Sequence, residues 1–185
     1  MSKKLNTLEM EITITDWLGP IRNIVVPTVT DMGAPINFEA DLLSITKAGY
    51  ATCVEIKVSK ADLRNDLKKN HIKRLSEPFW RNSVGKNALE HYYRTLKHFY
   101  YAVPEFLRED ALGQIPPFAG LLTVERKENY FKTFKVVEVR KPKKLNDHKW
   151  SDRQILGVAK FGCQRSIQLR KNLLRMRNEL IELKK

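Results

Sequence analysis

Between residues 38 and 58 the apolar positions cluster in two short runs, as they do in buried strands. Residues 38–46 and 50–58 are rich in β-branched and aromatic side chains and flank Lys47-Ala48-Gly49. Glycine at the third place of a three-residue loop predicts a hairpin whose last loop residue is left-handed. Closing the chain on that loop sets Thr46 opposite Tyr50, so paired numbers sum to 96 and Asp41 faces Glu55. Side chains alternate along a strand, which puts Lys57 on the same face two residues on.

Other elements follow from the same patterns. Residues 7–18 admit two readings. Met10, Ile12 and Ile14 alternate with Glu11, Thr13 and Thr15 as in a strand, yet Met10, Ile14, Trp17 and Leu18 fit helical spacing with Gly19-Pro20 as a stop. Residues 23–30 read as the first strand, with a turn at Asp31-Met32-Gly33-Ala34-Pro35. Ser59-Lys60-Ala61-Asp62 has the form of a capping box and opens a helix to about His71. Glu77-Pro78 and Ser83-Val84-Gly85 mark a loop, and Asn87-Ala88-Leu89-Glu90 caps a helix ending near Lys97. An aromatic strand over 98–103 stops at Pro104, and residues 119–125 and 130–139 predict another hairpin. Pro142 and Asn146 mark a linker; Ser151-Asp152-Arg153-Gln154 begins a long basic helix with Gly157 and Gly162 as candidate interruptions.

The hairpin carries the chemistry. Carboxylates directly opposite one another repel, so Asp41 against Glu55 is costly as structure alone. A divalent cation between them removes the cost, and the alternative is a salt-bridge trio with Lys57. Charge supports a polyanionic partner. The 185-residue chain has a formal net charge of +13, and residues 140–185 hold fourteen Lys and Arg against four Asp and Glu. A second basic cluster follows the hairpin at Lys57, Lys60, Arg64, Lys68, Lys69, His71, Lys73 and Arg74. Basic groups beside an acidic metal site suit phosphodiester chemistry, because phosphates must be drawn towards carboxylates that repel them. Neither a membrane-spanning run nor a secretory signal is visible, and Cys53 and Cys163 suit neither a disulfide framework nor a zinc site. A cytoplasmic chain without a membrane partner is expected.

Asp41 followed by Glu55-Ile56-Lys57 on a hairpin resembles the signature of the PD-(D/E)xK nuclease superfamily. The longer string is similar to its MmcB-like branch of DNA-repair-associated and phage-encoded proteins. It comprises Glu39-Ala40-Asp41-Leu42-Leu43, Thr46-Lys47-Ala48-Gly49-Tyr50 and residues 54–63, then Tyr100-Tyr101-Ala102-Val103-Pro104, Ile115-Pro116 and Ala119-Gly120-Leu121-Leu122. The likeness spans about residues 7–140. One departure is Ala40 where the signature often has proline. The resemblance implies an α/β fold with a restriction-endonuclease-like core: helix, three-stranded meander, helix and strand, in a mixed sheet flanked by helices. It also decides for a helix over 7–18. The expected division is a nuclease-like domain at 1–145 and a basic helical extension at 146–185.

The resemblance assigns Asp41, Glu55 and Lys57 as the catalytic set. Asp41 and Glu55 would offer oxygen ligands to Mg²⁺ or Mn²⁺, with the Ile56 carbonyl as a further ligand. Lys57 would orient the attacking water or bind the scissile phosphate. Glu11 corresponds to a helical glutamate that would bind a second metal or a metal water; an exposed helix acid is the alternative. Glu39 is an auxiliary candidate, with pairing to Lys57 as its plain role. Lys60, Arg64, Lys68, Lys69, His71, Arg165, Arg170 and Lys171 are candidate nucleic-acid contacts. Tyr92, Tyr93, Phe99, Tyr100 and Tyr101 could stack on bases, but an aromatic strand in a small domain is first of all core. His91 and His98, beside aromatics, read as packed, and Asp62 as a cap. The expected activity is metal-dependent hydrolysis of DNA in repair, recombination or phage DNA metabolism, with RNA left open as the polymer. The alternatives are a non-catalytic nucleic-acid-binding accessory protein, and a module whose C-terminal helix recruits a replication or repair partner. A homodimer is compatible with either.

Overall fold

A computed structural model describes residues 5–29, 36, 38–69, 72, 95–126 and 134–183. Helix α1 (Thr7–Leu18) precedes strands β1 (Ile24–Val29), β2 (Ala40–Ile45) and β3 (Ala51–Ile56). Helix α2 (Lys60–Asp66) and strand β4 (Leu96–Pro104) follow, then a 3₁₀ turn (Glu105–Leu107) and helix α3 (Arg108–Gln114). Strands β5 (Gly120–Arg126) and β6 (Phe134–Arg140) lead to helix α4 (Asp152–Glu182). The six strands form one mixed sheet in sequence order. β1–β2–β3 is an antiparallel meander, β3–β4 and β4–β5 pair in parallel, and β5–β6 is antiparallel. The protein is thus α/β, with helices on both faces of the sheet.

Alternation along the strands divides the core in two. Leu42, Val54, Ile56, Tyr100, Ala102, Leu122 and Val124 pack under Met10, Ile14 and Leu18 of α1. Their neighbours Leu43, Cys53, Phe99, Tyr101, Val103 and Leu121 pack on the opposite face with Leu63 of α2, Ala111 of α3 and Val158 of α4. β4 is buried on both faces, which accounts for its unbroken apolar run.

The hairpin register is the one read from the loop: Leu42 pairs with Val54, Leu43 with Cys53, Ser44 with Thr52 and Ile45 with Ala51. Gly49 has φ +83°, the left-handed conformation that the loop requires. α1 is helical, with Asn6 and Glu9 forming a capping box and Gly19 closing the end.

Four expectations need correction. α2 stops at Asp66 instead of running to about His71, because the amides of Lys68 and Lys69 turn back to the carbonyls of Asn65 and Asp66. The Ser59 side chain does accept from the Asp62 amide. Lys97 is a strand residue, since β4 begins at Leu96 to pair with Ala51. Residues 105–118 had no assigned element and contain the 3₁₀ turn and α3. α4 runs unbroken through Gly157 and Gly162; a Cβ at 162 would come within 3.1 Å of Val26, so glycine there lets the helix lie close on β1. The Asp31–Pro35 turn, the loop at 77–85, the cap at 87–90 and residues Lys73, Arg74, His91, Tyr92 and Tyr93 lie outside the described residues.

The segment after β6 is stitched to the body. Lys143 and Leu145 amides donate to Phe118 and Lys97 carbonyls, and Asn146 to Leu96. Buried Trp150 donates from its ring to Thr95 and from its amide to Gly49. From Cys163 to Leu183 every residue except Arg165 and Asn172 is exposed, including Leu169, Leu173, Met176 and Leu180 along one side of α4. Among the described residues no helix is long and apolar enough to cross a membrane.

Gly49 joins two constraints, since a Cβ there would also lie 3.0 Å from the Trp150 carbonyl oxygen. Gly49→Ala should therefore cost about 1–2 kcal/mol of stability and lower Tm by roughly 3–6 °C, measured by thermal denaturation; an unchanged Tm would contradict the left-handed turn.

Candidate active site

The site forms where β2 and β3 part. Their ladder ends at Leu42–Val54, and beyond it the Asp41 side chain replaces a strand partner: the Ile56 amide donates to Asp41 Oδ2 at 2.7 Å. β3 meanwhile stays with β4, and the Lys57 amide donates to the Ala102 carbonyl. Asp41, Glu55 and Lys57 share one face, as their odd numbering requires.

Their side chains meet at the Lys57 ammonium. Nζ lies 2.8 Å from Glu55 Oε2 and 3.5 Å from Asp41 Oδ2. Asp66 Oδ1, from α2, is 3.2 Å away on a further side. Glu55, Lys57 and Asp66 are buried, whereas the Asp41 side chain is 35% exposed and forms the opening to solvent. Glu55 Oε1 is buried and has no hydrogen-bond partner among the described residues.

Burial dominates the ionisation of Glu55 and pushes its carboxyl up to about 8; Lys57 pulls it down, and Asp41 and Asp66 add to the rise. Burial also works against the Lys57 ammonium, but Glu55, Asp41 and Asp66 outweigh it and hold the amine above its ordinary value. For Asp66 burial is overcome by Lys57, Lys69 and the Tyr101 hydroxyl, which keep it below its ordinary value. Desolvation raises Glu11, with Arg165 lowering it and Asp41 raising it, so this α1 residue stands within electrostatic reach of the site.

One edge of the site is strained. Thr28 has φ +46°, which non-glycine residues rarely adopt, and lies level with Asp41 between the Pro27–Leu42 and Val29–Ala40 pairs. Arg165 Nη1 of α4 donates to the Thr28 carbonyl at 3.4 Å.

The donor chemistry fits a hard divalent cation. Two carboxylates, one with a buried oxygen lacking a partner, leave coordination positions for water, as Mg²⁺ and Mn²⁺ sites commonly do. Among the described residues no group of three or more His, Cys, Asp or Glu side chains is placed to hold a metal ion, so the protein would offer two carboxylates only. Glu39 is exposed just before β2, and the carboxylate partners of Lys57 are Asp41, Glu55 and Asp66 instead.

The expected nucleic-acid contacts divide into free and engaged groups. Arg64, Lys68, Arg170 and Lys171 are exposed. Lys60 pairs with Asp110 at 2.8 Å, Lys69 with Asp66 at 2.7 Å, and Arg165 is half-buried against Thr28. His71 lies outside the described residues. Phe99, Tyr100 and Tyr101 are buried, and His98 is half-buried.

Asp66 was missed in the sequence. Its signal was phase: it stands three residues after buried Leu63, on the core-facing side of a short helix.

Neither a protein-family model nor a curated protein matches the chain. A solved structure described as the SPO1766 protein of unknown function from Silicibacter pomeroyi is similar, with a TM-score of 0.58 and 16% identity over 91% of this chain and 94% of that one. At that identity the likeness concerns the fold alone.

A carboxyl raised on folding from 4.5 to about 8 retains protons that the unfolded chain has released, so stability falls as pH rises through that window. Lys57 stays charged across it, and Asp66, lowered from 3.8, stays ionised. In chelator-treated protein, denaturation midpoints should fall as pH rises from about 5 to about 8, with a flatter slope in Glu55→Gln; equal slopes would refute the raised carboxyl.

Proposed function

We propose that the chain is a metal-dependent phosphodiesterase acting on DNA, built on a restriction-endonuclease-like core and serving repair, recombination or phage DNA metabolism. The observation that carries this reading is the meeting of Asp41 and Glu55 on the Lys57 ammonium, with Glu55 Oε1 buried and unsatisfied beside it. Burying such a cluster is expensive, and replacing it by apolar residues commonly stabilises a protein. Its retention is better explained by chemistry than by stability.

Asp41 and Glu55 would hold Mg²⁺ or Mn²⁺, with the Ile56 carbonyl as a third donor and Glu11, within electrostatic reach of Asp41, as the candidate for a bound water. When bound, the cation supplies a water of lowered pKa and stabilises charge on the phosphate. Lys57, fixed beside both carboxylates, would orient that water or hold a phosphate oxygen. Arg64, Lys68, Arg170 and Lys171 are free to meet the nucleic-acid backbone, and the weak surface pair of Lys60 with Asp110 yields readily to a phosphate. Two free cysteines suit a reducing cytoplasm.

A second reading has its own support. Glu55 and Lys57 are only 1% and 4% exposed, which favours a nucleic-acid-binding accessory protein that keeps the cluster as internal scaffolding.

Nicking of supercoiled plasmid separates the two. With Mg²⁺ or Mn²⁺ the protein should nick, and Asp41→Ala should slow nicking by at least ~100-fold while salt-sensitive DNA binding persists. Nicking unaffected by Asp41→Ala removes the site from the chemistry. Binding without nicking by either protein establishes the accessory reading.

A further inference from the structure

The Lys57 ammonium has a carboxylate partner that the hairpin does not supply. Asp66 is 1% exposed and is held from two other directions. The Tyr101 hydroxyl of β4 donates to Oδ2 at 3.0 Å, and Lys69 Nζ lies 2.7 Å from Oδ1. β4 and the turn after α2 thus fix this carboxylate independently of β2.

The position matters because Lys57 engages Asp41 Oδ2 and Glu55 Oε2, on the same two carboxylates that a cation would use. A divalent cation and an ammonium repel strongly at such range unless an anion offsets the ammonium. Asp66 Oδ1, 3.2 Å from Nζ, is that anion.

We propose that Asp66 is a positioning residue: it offsets the charge of the Lys57 ammonium from the α2 side and so lets Asp41 and Glu55 share their oxygens with a divalent cation. The inference rests on the metal-site reading above and extends it to a residue on another element. Asp66 acts through Lys57. Without it, the full charge of the ammonium is borne by Glu55 and Asp41 alone and competes with the cation for them.

The test measures Mn²⁺ binding to the full chain by electron paramagnetic resonance, without any assay of cleavage. Asp66→Asn should weaken Mn²⁺ binding about 10-fold or more, and Asp66→Glu should recover part of the loss. In a Lys57→Met background the same Asp66→Asn change should alter binding by less than about threefold, since no ammonium remains to be offset. Tyr101→Phe removes one hydrogen bond to Asp66 and keeps every charge, so it should give a smaller loss in the same direction. It carries the test if Asp66→Asn fails to fold, as judged by circular dichroism, and its failure to weaken binding then overturns the inference. Equal losses with and without Lys57 make Asp66 plain structural support and overturn it. Unchanged binding in Asp66→Asn overturns it alone. A parent protein that binds no Mn²⁺ overturns the metal reading and this inference together.

Discussion

The arrangement around residue 57 depends on one shared cation. A single ammonium stands among three carboxylates from β2, β3 and α2, at 3.5, 2.8 and 3.2 Å. In a buried setting each of those charges is costly alone, and breaking such a set by removing one member costs more than the set contributes. Lys57 therefore constrains its neighbours: the end of β2, the end of β3 and the last turn of α2 must all deliver an oxygen to one point. The short α2 fits this demand, because Asp66 is its last residue and is also paired with Lys69 just beyond the helix.

The sheet makes the convergence possible. β3 is a hinge between two pairings, antiparallel to β2 and parallel to β4. A strand cannot follow both neighbours when they diverge, and β3 follows β4. The gap left at Asp41 exposes the Ile56 amide, which takes the Asp41 carboxylate as acceptor. That hydrogen bond satisfies a main-chain donor and aims the acid at the same time. The cluster is consequently a product of strand topology, and the opening towards solvent lies on the β2 side where the ladder has ended.

How much of this the residues announce depends on the range of the interaction. The hairpin register follows from Lys47-Ala48-Gly49 alone, since one left-handed glycine and strict alternation leave little freedom, and Asp41, Glu55 and Lys57 then fall together. The helix over 7–18 was ambiguous by periodicity because threonine and isoleucine suit either form; the cap at Asn6 and Glu9 and the burial of Met10, Ile14 and Leu18 decide it. Phase from Leu63 turns Asp66 inward, but its meeting with the cluster across the α2 crossover is set by tertiary packing. The same limit explains α2: Lys68 and Lys69 are good helix formers, yet ion pairing of Asp66 with Lys57 and Lys69 accompanies a tight turn there. Residues 105–118 carry no strong helical pattern because α3 has only seven residues and contains Gly113.

The basic C-terminal helix is tied to this chemistry more closely than its charge suggests. Gly162 seats α4 against Val26 of β1, and one turn further Arg165 reaches the Thr28 carbonyl. Thr28 sits level with Asp41 in a backbone conformation that costs of order 1 kcal/mol or more for a β-branched residue. The surroundings must over-determine such a residue for it to persist, and Arg165 supplies one of the restraints. The same guanidinium lowers the Glu11 carboxyl, which Asp41 and burial raise. Arg165 thereby links three elements beside the cluster: β1 by a hydrogen bond to Thr28, α1 by its electrostatic effect on Glu11, and its own α4. Beyond that link the helix leaves the body with its leucines and arginines exposed, so its tie to the backbone beside Asp41 runs through the hydrogen bond of Arg165 to the Thr28 carbonyl.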